Sequence, residues 1–266
     1  MLIIKNLVHP TTLEQAHEYV LKPKSVIIGG MLWLKMQNRE VDYAIDLSKL
    51  GLDQIEETEE EFKIGAMVCL RDLEKHVGLN HYTNNAIRES VRHIVGVQFR
   101  NLASVGGSLF GRFGFSDVLT CFLALDAYVE LFPTGVVSIE EFANMRLSKD
   151  ILVRVIVKKS PLKVVYKSMR NTSTDFPVLT CAATKTEAGT YCTIGARPLK
   201  AMRFYDENHD LDDFNEENMQ KYIEEVSSKL IVGGNLRASK EYRQKIAKIL
   251  MKRALLELEG GQSNAN

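Results

Sequence analysis

The chain has 266 residues, 45% of them hydrophobic, and its 34 lysines and arginines balance 34 acidic residues. A neutral chain creates no global field that would attract nucleic acid or an anionic membrane, so neither is an expected partner. No run of about 18 apolar residues would span a bilayer, and the first residues lack a signal-peptide pattern, so we expect a cytoplasmic protein. The four cysteines are scattered, which predicts reduced thiols and no metal site: Cys69, Cys121, Cys181 and Cys192.

The first 60 residues predict a compact unit in which helices and strands alternate. Its elements are a helix, a strand, a helix and a strand, at residues 12–21, 25–28, 31–36 and 41–47. Thr11 is the expected N-cap of the first helix, because Glu14 three residues later completes a capping box.

The remaining residues predict a second mixed unit and then an antiparallel region. The second unit has strands at 62–66, 127–132 and 136–138, helices at 71–76 and 84–94, and an apolar segment at 118–125. β-branched strands follow at 151–157, 163–167, 179–184 and 191–194, before a helical tail at 216–258.

Two glycine pairs, Gly29-Gly30 and Gly106-Gly107, follow apolar stretches in similar settings. Glycine has no Cβ, so such a turn can adopt positive φ and let phosphate oxygens approach the main-chain N–H groups. Two such loops would hold one pyrophosphate from both sides. The alternative is that each pair only forms a tight turn.

The segment around the second pair resembles the flavin-binding subunits of molybdenum hydroxylases, of the xanthine and carbon monoxide dehydrogenase type. It reads Arg-Asn-Leu-Ala-Ser-Val-Gly-Gly-Ser at residues 100–108, and Ser116-Asp117 follows. Ile-Gly-Gly at 28–30, Asp-Phe-Pro at 175–177 and the segment 236–243 extend the resemblance over nearly the whole chain.

The resemblance implies an α/β (α+β) fold. A two-part FAD-binding region of mixed α/β units, residues 1–160, would consist of parts 1–60 and 61–160. A C-terminal domain, residues 161–266, would contain an antiparallel sheet with helices. In such subunits both glycine loops hold the pyrophosphate of FAD, which here implies contacts from Ile27, Ile28, Gly29, Gly30, Met31, Leu32, Trp33, Leu34, Ser104, Val105, Gly106, Gly107 and Ser108.

Three further positions carry a role that the resemblance implies. Asp117 would accept a hydrogen bond from a ribose or ribityl hydroxyl, although it could also serve as a helix N-cap. Leu152 would pack on the flavin. Lys167 would lie near the edge of the ring system, where a cation raises the reduction potential, unless it is a solvated strand lysine. Arg170 could fill the same role as Lys167.

The chain departs from its relatives at Met31, where they usually carry a polar side chain, so one hydrogen bond to phosphate is lost. FAD is the redox group, so no catalytic side chain is expected. Without cysteines for iron–sulfur clusters or a domain for molybdopterin, the chain requires an iron–sulfur subunit and a molybdopterin-containing subunit as partners. Electrons would pass from the partner through FAD to an acceptor such as NAD. The alternatives are a non-catalytic scaffold with weak or no flavin, and a freestanding flavin oxidoreductase.

Overall fold

The computed structural model describes residues 1–260, and its first part is a small parallel sheet with one helix. The elements in chain order are β1 (Ile3–Val8), α1 (Leu13–Leu21), β2 (Ser25–Ile28) and β3 (Glu40–Asp46). The strand order is β1-β3-β2, and both pairs are parallel. The buried Ala16 of α1 packs with Ile45 and Leu47 and also with Ile151 and Val153 from the next sheet.

The second part is a five-stranded sheet with order β4-β5-β8-β6-β7, in which all pairs are antiparallel. Short helices are inserted between its strands. The elements are β4 (Ile55–Glu57), β5 (Glu61–Gly65), α2 (Leu70–Lys75), α3 (Val77–Tyr82), α4 (Ala86–Val91), α5 (Val97–Arg100), α6 (Val105–Phe110), α7 (Asp117–Leu123), β6 (Ala127–Phe132), β7 (Gly135–Ser138), α8 (Ile139–Asn144) and β8 (Ile151–Lys158).

The third part is an antiparallel four-stranded sheet with order β12-β11-β10-β9 and two long helices. The elements are β9 (Leu162–Arg170), β10 (Pro177–Thr186), β11 (Gly189–Gly195), β12 (Met202–Tyr205), α9 (Glu216–Lys229) and α10 (Lys240–Leu258). One face of the sheet packs on α9 and α10 through residues such as Leu179, Tyr222 and Met251. The opposite face meets α7, where the hydroxyls of Thr120 and Thr180 lie 2.9 Å apart.

The predicted fold class is confirmed, and several local details differ. Helix α1 is capped by Thr12, whose hydroxyl accepts from the N–H of Gln15 at 3.2 Å. Gln15 in turn accepts from the N–H of Thr11 at 2.8 Å. The predicted pair of Thr11 and Glu14 is therefore wrong: the helix is capped one residue later, and Gln15 accepts from the residue before the cap rather than from the cap itself.

Two other predicted elements are shorter or interrupted. Of residues 31–36, only Leu34–Met36 form a turn of 3₁₀ helix, because Met31 has a left-handed backbone with φ +55°. The helical tail is two helices, separated by a loop at 230–239 that contains Gly233-Gly234. Of the helices in the described residues, none combines the length and hydropathy that crossing a bilayer requires.

The domain boundaries remain a proposal. The second sheet ends at Lys158 and the third begins at Leu162, and the proposed division into 1–160 and 161–266 falls between them. The last six residues of the second range lie outside the described part of the chain.

Candidate cofactor site

A cavity of about 800 Å³ lies where loops from all three parts meet, which is within the usual size of a small-molecule site. Its wall includes Ile27, Ile28, Gly29, Gly30, Met31, Leu32, Trp33, Leu34, Ser104, Gly106, Gly107, Ser108, Asp117 and Leu152. The fold therefore brings most of the predicted residues together. Two lie elsewhere, Val105 in the hydrophobic core and Lys167 on the far face of its sheet.

The two glycine loops touch each other at Gly30. A Cβ on this residue would lie 2.0 Å from the carbonyl oxygen of Leu102 and 2.5 Å from its carbon. A Cβ on Gly29 would meet the hydroxyl of Ser104 at 3.0 Å. Glycine is therefore required here because the two backbones approach each other closely. A positive φ is not the reason, since neither Gly29-Gly30 nor Gly106-Gly107 adopts one.

The first loop presents a row of unused backbone donors. The N–H groups of residues 29–34 donate to no acceptor within residues 1–260. Met31 supplies the left-handed conformation in this row, and Trp33 has a right-handed helical backbone. Successive free N–H groups in a turn can form an anion-binding concavity.

The second loop is different, because its N–H groups are already paired. Gly106-Gly107 lies in the first turn of α6, whose N-cap is Ser104. The N–H of Gly106 donates to Ala66 at 2.7 Å, and that of Gly107 to the Ser104 hydroxyl at 3.1 Å. The Ser108 hydroxyl donates to the carbonyl oxygen of Ser104 at 2.9 Å. The expectation of two equivalent amide loops is therefore wrong, and this loop offers chiefly the hydroxyl hydrogen of Ser104.

Asp117 is held in a buried polar network. Ser116 is the N-cap of α7, so the alternative role of Asp117 as an N-cap is wrong. Its Oδ1 accepts from the Tyr166 hydroxyl at 2.6 Å and pairs with the Arg170 guanidinium. Burial raises the pKa of Asp117, and the charge of Arg170 opposes that shift. Neither of these two contacts uses Oδ2, which leaves that oxygen able to accept from a ligand hydroxyl.

Lys167 points away from the cavity. It lies on the face of β9 that packs against α10, and its ammonium group pairs with Glu257. Its neighbour Tyr166 points to the opposite face, toward Asp117, as the alternation of a strand requires. Arg170, three residues after Lys167, is on the cavity side.

An aromatic cluster forms one wall of the cavity: Trp33, Phe99, Phe113, Phe115 and Phe176. The ring centroid of Trp33 lies 5.6 Å from that of Phe176, 6.2 Å from that of Phe115 and 6.5 Å from that of Phe99. The guanidinium of Arg237 lies 4.7 Å from the ring centre of Phe176. Sequence reasoning missed the phenylalanines, since they come from three separate segments. Phe99 directly precedes the recognised segment 100–108 and Phe176 is part of Asp-Phe-Pro, but the resemblance assigned a role to neither.

A cavity with a row of free main-chain donors, a buried carboxylate and an aromatic wall suits a dinucleotide that carries a flat ring system. The chain belongs to the family described as the FAD binding domain in molybdopterin dehydrogenase, which matches residues 4–159. The recognised resemblance is confirmed, and FAD is the cofactor of this family.

Two curated relatives are similar in sequence. The FAD-subunit of nicotinate dehydrogenase from Eubacterium barkeri is 31% identical over 130 residues, 46% of this chain. The match spans 44% of that subunit, less than half of its length. The uncharacterized protein YgfM of Escherichia coli strain K12 is 24% identical over 254 residues, which are 94% of both chains.

Solved structures share the whole architecture. A chain of carbon monoxide dehydrogenase from Hydrogenophaga pseudoflava superposes with a TM-score of 0.86 at 20% identity, over 96% of both chains. A chain of quinoline 2-oxidoreductase from Pseudomonas putida 86 gives 0.83 at 19% identity, again over 96% of both. Likeness at this level of identity establishes the fold.

Proposed function

We propose that the cavity holds FAD and that the chain is the flavin subunit of a molybdenum hydroxylase complex of the xanthine dehydrogenase type. In this role it relays electrons from the iron–sulfur clusters of one partner to an acceptor such as NAD, and a further partner carries molybdopterin. The observation that carries the proposal is the row of N–H groups of residues 29–34, unpaired within the described residues, which lines the same cavity as Ser104.

The residues present fit FAD in three respects. The N–H row and Ser104 would hold the pyrophosphate, because main-chain donors suit phosphate oxygens. Asp117 would accept from a sugar or ribityl hydroxyl through Oδ2. The aromatic cluster around Trp33 would cover the flat ring system and exclude water from it. Leu152 adds an apolar side chain to the lining of the cavity.

The chain contributes binding and environment, since FAD when bound supplies the electron-transfer chemistry. The four cysteines are separated along the chain and three of them are buried core thiols, so iron–sulfur clusters would come from a partner. The nicotinate dehydrogenase relative is itself named as one subunit of an enzyme, which supports a complex. A cytoplasmic location is also proposed, because Cys181 and Cys192 are free thiols in mutual hydrogen-bond contact, as a reducing compartment favours.

The scaffold alternative has one structural observation in its favour. The N–H groups of Gly106 and Gly107 in the second loop donate to acceptors within the protein, and Met31 in the first loop has no polar side chain. Both features reduce the number of phosphate contacts. A scaffold would retain the cavity but bind FAD weakly.

The test is to recover the full chain with a mild affinity tag from its native cells and identify what accompanies it. We expect FAD together with larger subunits that contain iron and molybdenum. The holoprotein, reduced anaerobically and mixed with NAD, should recover its flavin absorption band. FAD without partner subunits would favour a freestanding oxidoreductase, and partner subunits without FAD would favour the scaffold. A flavin band that NAD leaves bleached would refute NAD as acceptor.

A further inference from the structure

Tyr166 lies behind the cavity wall and is connected to it by a single hydrogen bond. It belongs to β9, is 5% exposed, and its ring packs in the hydrophobic core. Its hydroxyl donates to Oδ1 of Asp117 at 2.6 Å, across 49 positions of the chain. Asp117 lines the cavity and Tyr166 does not. Any effect of the Tyr166 hydroxyl on a ligand in the cavity therefore passes through Asp117.

Two donors meet on one oxygen of Asp117. The Arg170 guanidinium donates to the same Oδ1 as the Tyr166 hydroxyl. Two hydrogen bonds from different side chains fix the plane of the carboxyl group, because rotation about its Cβ–Cγ bond would break both. Ser116 holds the adjoining backbone as the N-cap of α7. Oδ2 is thereby kept in one position, and these two donors leave it to a ligand.

The Tyr166 hydroxyl also influences the charge of Asp117. Burial and the nearby Asp117 carboxylate raise the pKa of Tyr166 well above its ordinary value, so the hydroxyl keeps its hydrogen and acts as a donor. Burial raises the pKa of Asp117, whereas the charge of Arg170 and the hydrogen bond from Tyr166 lower it. The bond from Tyr166 therefore favours the ionised carboxylate, which is a stronger acceptor than the neutral acid.

We propose that Tyr166 is a positioning residue for the cofactor: its hydroxyl holds Asp117 so that Oδ2 accepts from a hydroxyl group of bound FAD, and it keeps the carboxylate ionised. The inference rests on the FAD site proposed above. It extends that site to a side chain that does not itself touch the cofactor.

The test is the dissociation constant of FAD, measured by equilibrium dialysis of the full chain over a range of pH. Tyr166→Phe keeps the ring and removes only the hydroxyl. We expect it to raise the dissociation constant roughly tenfold at neutral pH, because it weakens one charge-assisted hydrogen bond to FAD. Affinity is lost as the pH falls and Asp117 takes up a proton. Since the pKa of Asp117 rises in the variant, this loss should begin at a higher pH than in wild type.

The other titratable groups near Asp117 do not produce this difference. Cys121 on α7 interacts with Asp117, and burial raises the pKa of its thiol to about 12, so it stays neutral in the assay. His93, which follows α4, lies near Arg170, and burial, Arg92 and Arg170 lower its pKa. Both groups are present in wild type and in the variants, so a difference between two pH profiles reports on Asp117.

Tyr191→Phe is the matched control. Tyr191 is another buried strand tyrosine, and its hydroxyl donates at 3.1 Å to the carbonyl oxygen of Ala124, the C-cap of α7. The control removes a comparable hydrogen bond at the opposite end of the helix that begins with Asp117. It should leave both the dissociation constant of FAD and the pH profile at their wild-type values.

A second background separates positioning from general damage to the site. In Asp117→Asn, an amide group replaces the acceptor Oδ2, so adding Tyr166→Phe should change the dissociation constant by less than about twofold. An equal loss in both backgrounds overturns the inference, as does a wild-type dissociation constant and pH profile in Tyr166→Phe.

If Tyr166→Phe fails to fold, 3-fluorotyrosine at position 166 tests the same bond in the opposite direction. Its more acidic hydroxyl is a stronger donor, which should move the loss of FAD affinity to lower pH than in wild type. An unmoved pH profile overturns the inference. A wild-type chain that binds no FAD refutes the proposed function instead.

Discussion

At Gly30 the two cavity loops are in direct contact, so one added methyl group should separate them. The Cβ of Gly30→Ala would lie 2.0 Å from the carbonyl oxygen of Leu102, whereas ordinary van der Waals contact begins at 3.4 Å. No rotamer change relieves this overlap, since Leu102 contributes backbone atoms. The two loops must therefore move apart. Overpacking of this kind lowers the free energy of unfolding by about 1–3 kcal/mol.

The same movement displaces the N–H row of residues 29–34 from Ser104. Loss of one charge-assisted hydrogen bond, worth about 1.5–3 kcal/mol, would raise the dissociation constant of FAD roughly ten- to hundredfold. Gly234→Ala is the matched control, because it also changes the second glycine of a pair but brings its Cβ no closer than 3.5 Å to a neighbour. Equilibrium dialysis with FAD and urea unfolding give both quantities. Wild-type FAD affinity in Gly30→Ala would refute the assignment of this loop to the cofactor.

Three further predictions concern the surroundings of the cavity. Met31→Gly should raise the free energy of unfolding, measured in urea, by roughly 1 kcal/mol, because glycine adopts the left-handed backbone at φ +55° without strain. A less stable variant would contradict that backbone conformation. Arg243→Met should lower the free energy of unfolding by about 3 kcal/mol or more. The reason is that Arg243, which is only 1% exposed, donates hydrogen bonds to Val178, Gly233, Ala238 and Asn235. A change below about 1 kcal/mol would contradict a structural role of these bonds. Trp33 is the single tryptophan and lines the cavity, so FAD should quench the intrinsic fluorescence; binding without quenching would contradict its placement.

The glycine loops and Asp117 could be found from the sequence because each belongs to a short motif whose chemistry is local. Strands such as Ser25–Ile28 were also predictable, since an apolar β-branched run between a proline and a glycine pair leaves few alternatives. The reason why Gly30 must be glycine could not be predicted from the sequence. It is the close approach of the Leu102 backbone, which lies 72 residues from Gly30 in the chain and contacts it only in the folded protein.

The electrostatic part of the site could not be predicted for the same reason. Arg170 and Asp117 are 53 residues apart, and their pairing depends on how β9 packs against α7. The sequence places Lys167 and Arg170 on one strand, but which of them faces the cavity depends on the register of that strand. The aromatic wall likewise requires Trp33, Phe115 and Phe176 to converge from three parts of the chain.

The central claim is that this chain binds FAD in the cavity between its two glycine loops. The most direct measurement is an FAD titration of the purified full chain after cofactor removal, followed by the visible absorption spectrum and by chromatography of the cofactor released on denaturation. We expect the flavin bands of one FAD per chain, and a parallel titration of Gly30→Ala that saturates only at much higher FAD. A wild-type chain that shows no flavin band once free FAD is removed would contradict the account.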